Sequence, residues 1–147
     1  MLASTTGNIT GIYDLSGGAW ERTAGYINNG HPNLTNYGKQ LTNEGEIGKS
    51  NKYKTVYAYN TSGDNSGNNY NMEENKKRVG ESIWETSQSG SDVTSWNGDY
   101  SNFPYTSGPF SSRGGGYSYG AGAGSFYFDD ADGGSYIVSS FRVALSL

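Results

Sequence analysis

Three aspartates, Asp129, Asp130 and Asp132, lie close together near the C-terminal end of the chain, and Gly133 follows them. This spacing is similar to part of a calcium-binding loop, which supplies six to eight oxygen ligands and ends in a bidentate glutamate. Here the ligands are too few and no glutamate follows. We therefore interpret the aspartates as acidic side chains presented to a ligand, and we expect no cofactor. Calcium is the alternative left open, and the metal site is otherwise unknown.

Tyrosines surround these aspartates in the stretch from Arg113 to Arg142, which also holds eight of the 23 glycines. A mixture of Tyr, Ser, Gly and Asp is typical of binding loops, because rigid amphipathic rings alternate with small adaptable groups. The stretch therefore predicts a ligand-binding face. Its members are Tyr117, Tyr119, Tyr127, Asp129, Asp130, Asp132 and Tyr136, with Tyr100 and Tyr105 at the rim.

Catalytic groups are sparse in the rest of the chain. The one histidine, His31, precedes Pro32 in a predicted loop, and a Ser-His-Asp triad would need it inside a cleft beside a serine. No cysteine is present, which excludes disulfides, thiolate metal sites and a cysteine nucleophile. These observations predict a protein that is not an enzyme.

A short strand must position the predicted face. Glycine is so frequent between Arg113 and Arg142 that a helix is disfavoured there. Phe126 and Phe128 alternate with Tyr127, so a strand would bury the two phenylalanines on one face and display Tyr127 on the other. This alternation predicts that substitution of Tyr127 leaves the stability of the domain unchanged.

Further elements are predicted from apolar alternation and from helix caps. Predicted strands are Ala19–Ile27, Tyr53–Tyr59, Ser82–Thr86, Tyr136–Val138 and Phe141–Leu145; predicted short helices are Leu34–Leu41 and, capped by Asn71, Met72–Val79. The core is expected to contain Tyr13, Leu15, Trp20, Phe126, Phe128, Ile137, Phe141 and Val143. With 147 residues the chain suits a single domain over 1–147.

Composition narrows the choice of partner. The net charge of −4 argues against binding a nucleic-acid backbone, and no apolar run is long enough to span a membrane. The N-terminal residues lead straight into polar sequence, so no signal peptide is expected. A protein or glycan receptor on a cell surface is the expected partner, and a homo-oligomer is left open.

Three motifs follow one another in a fixed order: G-I-Y-D-L-S-G at 11–17 with W-E at 20–21, R-G-G at 113–115, and F-R-V at 141–143. This order resembles the formylglycine-generating-enzyme/sulfatase-modifying-factor family. The resemblance implies an α+β, C-type-lectin-like fold with a twisted antiparallel sheet, long irregular loops and one or two short helices. The W-N-G-D run at 96–99 is similar to a calcium-dependent lectin signature, but the glycine interrupts it, so Trp96 is expected in the core.

Catalytic members of that family use cysteines, and this chain has none. The resemblance therefore points to the binding members of the family. Among these are the variable proteins of diversity-generating retroelements, found on phage tail tips and bacterial surfaces. In them the segment between the last two motifs displays ligand-binding residues, and mutated codons there cannot encode Lys, Glu, Gln, Met or Trp. Those five types occur 20 times in residues 1–96 and not at all in residues 97–147, where about ten would be expected at the earlier rate.

Two functions therefore compete. The first is a receptor-binding domain of phage-tail type, extracellular and located on a virion tail, with residues 97–147 diversified. The second is a structural or adhesive domain of a bacterial surface appendage, in which the same face packs against neighbouring subunits. Enzymatic activity on sulfatases is a third and is disfavoured by the missing cysteines.

Overall fold

The computed structural model of the chain describes residues 18–42, 54–60, 71–75, 86–87 and 93–141. These residues form an α+β structure with a mixed, open, five-stranded sheet and a few short helices. The strands are β1 (Trp20–Ile27), β2 (Thr55–Tyr57), β3 (Phe110–Arg113), β4 (Phe128–Ala131) and β5 (Ser139–Phe141).

Strand β1 is the centre of the sheet. On one side it pairs with β3 in antiparallel register, and β3 pairs in the same sense with β4. On its other side β1 pairs with two strands in parallel, β5 along Trp20–Arg22 and β2 along Gly25–Ile27. The expected α+β class is confirmed, but the sheet is mixed and not antiparallel throughout. Strands β2 and β5 reach β1 over long connections, so the constraint that a hairpin places on strand direction does not apply.

Short helices occupy the connections. They are α1 (Pro32–Tyr37), α2 (Lys39–Thr42) and α3 (Met72–Asn75). Proline suits the first turn of α1, and the His31 side chain accepts a hydrogen bond from the backbone N–H of Asn33 at 3.2 Å. Gly38 ends α1, so the predicted helix over 34–41 is divided into two.

Each face of the sheet carries an aromatic core, because residues paired across strands project to the same side. One row, Val56, Tyr26, Phe110 and Ala131, is buried together with Leu34 of α1. On the other face Ile27, Tyr57, Phe103 and Phe128 pack together, with the Phe103 and Phe128 rings stacked at 5.3 Å.

Helix α1 covers only part of the sheet face that carries Tyr26 and Phe110. The next row along the strands joins Phe141, Arg22, Ser112 and Asp129, and these residues are partly open to solvent except for Ser112. The end of the sheet nearest Trp20 therefore has room for a cleft on this face.

The strand predicted over 19–27 is confirmed, and that over 53–59 is shortened to β2. Asn71 caps α3 as predicted, accepting a hydrogen bond from the backbone N–H of Glu74 at 3.1 Å. The prediction for Tyr136–Val138 is wrong: residues 137–138 form a turn before β5. The strand predicted over 82–86 lies outside the described residues apart from Thr86, as do residues 76–79 and 142–145 of the other two elements.

The core prediction holds for Phe128 and fails at the C-terminal end of the described chain. Phe128 is fully buried, Trp20 and Phe126 are half-buried, but Phe141 is 78% exposed and Ile137 is fully exposed. Ile137 sits in a turn, and Phe141 lies on the half of the face that α1 leaves open. Tyr13, Leu15 and Val143 lie outside the described residues.

Candidate ligand-binding cleft

A cleft of about 380 Å³ opens on the uncovered half of the sheet. Strands β1, β3 and β4 form its floor, and the chain on either side of β4 forms its walls. It is lined by Trp20, Arg22, Tyr105, Ser112, Tyr119, Asp129, Asp130, Ala131, Asp132, Tyr136 and Ser139. Six of the nine residues predicted for the ligand-binding face are in this set, which the fold brings together from residues 105 to 136.

A chain of hydrogen bonds holds the floor of the cleft. The Trp20 indole Nε1–H donates to the Tyr127 hydroxyl at 2.8 Å, and that hydroxyl donates to Asp129 Oδ2 at 2.7 Å. Trp20 and Tyr127 are 107 residues apart, so this contact ties β1 to the start of β4. Burial and the neighbouring Asp129 carboxylate raise the pKa of Tyr127, which keeps the phenol protonated as the donor.

Aromatic rings pack around Tyr127. The Tyr119 ring meets the rings of Trp20 and Tyr127 edge-on at 5.5 Å, and Tyr100 stacks on Tyr127 at 5.6 Å. Edge-to-face and offset contacts of this kind each stabilise a cluster by about 0.5–1.5 kcal/mol beyond burial. The cluster places Tyr119 between the core and the cleft, with 38% of its surface exposed.

Asn102 connects the two neighbouring aspartates. Its side-chain amide donates to Asp129 Oδ1 at 3.3 Å and to Asp130 Oδ1. Burial and the charge of Asp129 raise the pKa of Asp130 to about 8, and burial also raises the pKa of Asp129. The two carboxyls therefore titrate as a pair, and near neutral pH the pair retains a proton that two isolated aspartates would have lost.

Asp132 and Arg22 organise the opposite wall. Asp132 accepts hydrogen bonds from the backbone N–H of Gly134 and from the Tyr136 hydroxyl, both at 2.8 Å. The Tyr136 hydrogen bond to Asp132 raises the pKa of that phenol. Arg22 donates to the Gly134 carbonyl at 2.9 Å and lies 5.7 Å from the centre of the Tyr136 ring. Tyr136 is thus held from both sides although it is 52% exposed.

The glycines after β3 allow the chain to return to the cleft. Gly114 and Gly115 have positive φ angles of 85° and 72°, which side-chain-bearing residues rarely adopt. A Cβ at Gly115 would also come within 2.9 Å of the Tyr127 ring. The R-G-G motif therefore has a physical role here: it turns the chain tightly enough for the Tyr119 ring to pack against Trp20.

The position of Tyr127 corrects the sequence prediction. It was expected on the surface, but it is fully buried. Strand β4 begins only at Phe128, and the Tyr127 N–H closes a turn onto the Gly124 carbonyl at 3.1 Å. Strand alternation consequently does not extend to residues 126 and 127, and Tyr127 turns inward to meet Trp20.

The other predicted residues divide into two groups. Tyr105, Tyr119, Asp129, Asp130, Asp132 and Tyr136 line the cleft, whereas Tyr117 and Tyr100 do not. Tyr117 is 72% exposed and lies outside the cleft, while Tyr100 is half-buried in the ring cluster. Sequence reasoning missed the contributions of Trp20, Arg22, Ser112 and Asn102. Only the alternation of Trp20 and Arg22 along β1 could have indicated that they share a face.

The structure also bears on the predicted position of Trp96 and on a metal site. Trp96 is more than half exposed and contacts the Phe126 ring at 5.3 Å, so its assignment to the core is wrong. Asn97 and Gly98, which follow Trp96, both have positive φ. The buried Asp99 carboxylate accepts a hydrogen bond from the Phe126 N–H at 2.8 Å. In the described ranges no group of three or more His, Cys, Asp or Glu side chains is arranged to hold a metal ion.

Comparison of the chain with protein families, with curated proteins and with solved structures finds no match. Among the helices that the structure describes, none is long and apolar enough to cross a membrane. The chemistry of the cleft itself is therefore the basis for a functional proposal.

Proposed function

We propose that the chain is a non-catalytic ligand-binding domain and that the cleft beside β4 is its binding site. The observation that carries the proposal is the convergence of Tyr105, Tyr119 and Tyr136 with three aspartates around one open cavity. Aromatic rings supply contact area at low entropic cost, and carboxylates supply directional acceptors. The cavity of about 380 Å³ lies near the small end of the range of about 300–1,000 Å³ for ligand sites.

The composition of the cleft supports binding more than catalysis. The one histidine uses its Nδ1 to cap α1 and does not line the cleft. We therefore extend the proposal to an extracellular role in attachment, on a phage tail or a bacterial surface, with a protein or glycan receptor. The absence of Lys, Glu, Gln, Met and Trp from residues 97–147 supports diversification of this segment.

Binding of the purified domain to an array of bacterial surface proteins and glycans tests the proposal. Tyr119→Ala and Tyr136→Ala should each weaken binding by about 30-fold, which corresponds to the loss of about 2 kcal/mol at a central contact. Tyr59→Ala is the matched control, because Tyr59 has the same exposed fraction as Tyr119, 38%, but follows β2 at the other edge of the sheet. If Tyr119→Ala and Tyr136→Ala bound the receptor as tightly as Tyr59→Ala, the cleft would be ruled out as the receptor site.

A structural or adhesive role is the second candidate. Phe141 and Ile137 are highly exposed on the same part of the chain, and exposed apolar side chains favour packing against a neighbouring subunit. Sedimentation velocity over a range of concentrations distinguishes the two candidates. Association that Ile137→Ser and Phe141→Ser abolish would favour the structural role.

A further inference from the structure

Among the described residues, the carboxylates of the cleft have only neutral hydrogen-bond donors. Asp129 accepts from Tyr127, Asn102 and the backbone N–H of Asp130, and Asp132 accepts from Tyr136 and a backbone N–H. In the described part of the chain, neither these two nor Asp130 makes an ion pair with a lysine or arginine. Partly buried carboxylates without a counter-ion are an unusual arrangement, because burial disfavours the charged form.

Arg22 is the one cation among the described residues that line the cleft, and its guanidinium has other partners. Its guanidinium donates to the Gly134 carbonyl and lies over the Tyr136 ring. It therefore supports the wall of the cleft, and the carboxylates that face the cavity have no positive partner within the part of the chain that the structure describes.

The walls are suited to the stem of a long side chain. Tyr119, Tyr136 and Trp20 present aromatic surface to a cavity whose floor carries Asp129 and Asp130. Aromatic faces attract cations as well as methylene groups, and the combination of rings and carboxylates recognises an ammonium or guanidinium group. A neutral sugar would also donate hydrogen bonds to the carboxylates, but it would leave their charge uncompensated.

We propose that the cleft binds a lysine or arginine side chain of a protein ligand, with its stem against Tyr119 and Tyr136 and its cationic group at Asp129, Asp130 and Asp132. This inference rests on the proposed function and makes it more specific. The ligand is a protein with a protruding basic residue, and charge complementarity selects it.

Binding of a cation should release a proton from Asp130. A cation beside Asp130 favours its ionised form, so binding at pH 7 releases part of a proton and becomes tighter as the pH rises toward 8. In the ranges that the structure describes, the other titratable and charged groups that face this cavity are Asp129, Asp132, Tyr105, Tyr119, Tyr136 and Arg22. A lysine or arginine probe keeps its charge throughout this range.

Matched small probes test the inference on the full chain. Nα-acetyl-lysine methylamide and Nα-acetyl-arginine methylamide are titrated into the ¹⁵N-labelled protein, beside the norleucine and citrulline analogues, which lack the charge. The cationic probes should shift the Trp20 indole signal and the backbone signals of residues 129–132 saturably, with Kd of about 1 mM, an affinity reasonable for a single side chain. The neutral analogues should bind at least about tenfold more weakly.

Variants and calorimetry sharpen the test. Asp132→Asn keeps the shape of the side chain and should weaken the cationic probes by about threefold to tenfold without affecting norleucine. Glu73→Gln removes the same charge from the exposed surface of α3 and should change neither titration. The binding enthalpy of the lysine probe should depend on the ionisation enthalpy of the buffer, because a proton is released.

Three results would overturn the inference. They are equal binding of the norleucine analogue, no shift with any probe, and shifts at residues 129–132 caused by neutral methyl glycosides but not by the cationic probes. In the last case the proposed function would stand, because the cleft would still be a binding site. The two proposals would likewise be separated if Tyr119→Ala lost binding on the receptor array while the unsubstituted protein gave no response to the lysine probe.

Discussion

Removal of the Tyr127 hydroxyl is the most direct test of how the cleft is built. Tyr127→Phe keeps the ring between Tyr100 and Tyr119 but deletes the acceptor for the Trp20 indole and a donor to Asp129. A hydrogen bond to a carboxylate contributes about 1.5–3 kcal/mol and a neutral one about 1 kcal/mol. Because Trp20 is half-buried and water can replace part of the loss, we expect the free energy of unfolding to fall by about 2–3 kcal/mol.

Tyr127→Ala should be more damaging, since it also empties the space of a fully buried ring. Truncation of a buried aromatic costs about 3–5 kcal/mol, to which the lost hydrogen bonds add. Tyr117→Ala is the matched control: this ring is mostly exposed, so its loss should change stability by less than about 0.5 kcal/mol. A large loss of stability in Tyr127→Ala would contradict the sequence prediction that Tyr127 can be changed without loss of stability.

Urea denaturation followed by tryptophan fluorescence measures all three variants. At about 3–4 °C per kcal/mol for a domain of this size, Tyr127→Phe should also lower Tm by about 6–12 °C. An unchanged dependence on urea concentration would show that the variants affect stability and not the compactness of either state. A wild-type midpoint for Tyr127→Phe would refute the Trp20–Tyr127–Asp129 chain as a stabilising feature.

Three further predictions follow from particular residues. Burial and the charge of Asp129 raise the pKa of Asp130 to about 8, whereas in the unfolded chain it lies near 3.9. Between these two pKa values the folded state holds the extra proton, so the free energy of unfolding should fall with rising pH, by at most about 1.4 kcal/mol per pH unit. Asp130→Asn should flatten that slope in urea titrations at pH 5–8. The buried Tyr26 hydroxyl has no hydrogen-bond partner among the described residues, so Tyr26→Phe should raise the free energy of unfolding by about 1 kcal/mol. A lower urea midpoint would contradict this. Gly115→Ala should destabilise by more than about 1 kcal/mol in the same assay, because its φ is positive and a Cβ would meet the Tyr127 ring, and a neutral outcome would show that the turn can relax.

Local features of the chain were readable from the sequence. Apolar alternation located β1, and Asn71 identified the start of α3, because a cap bonds to a backbone N–H only three residues away. The density of glycine between residues 113 and 142 correctly excluded a long helix, and only a short 3₁₀ segment, Tyr117–Gly122, occurs there. The tyrosines and aspartates that line the cleft were predicted from composition, because a mixture of Tyr, Asp, Ser and Gly is typical of binding loops.

Tertiary structure decided which of those residues are available to a ligand. Tyr127 and Tyr119 are chemically alike and eight residues apart, yet one is in the core and the other lines the cleft. The difference depends on Trp20, which lies 107 residues before Tyr127 and provides a buried hydrogen-bond donor. Likewise, the pKa of Asp130 is raised because the packing around β4 removes its carboxyl from water and because the charge of Asp129 lies beside it. Periodicity describes neighbours along one strand, whereas burial and pKa depend on what the rest of the chain places opposite that strand.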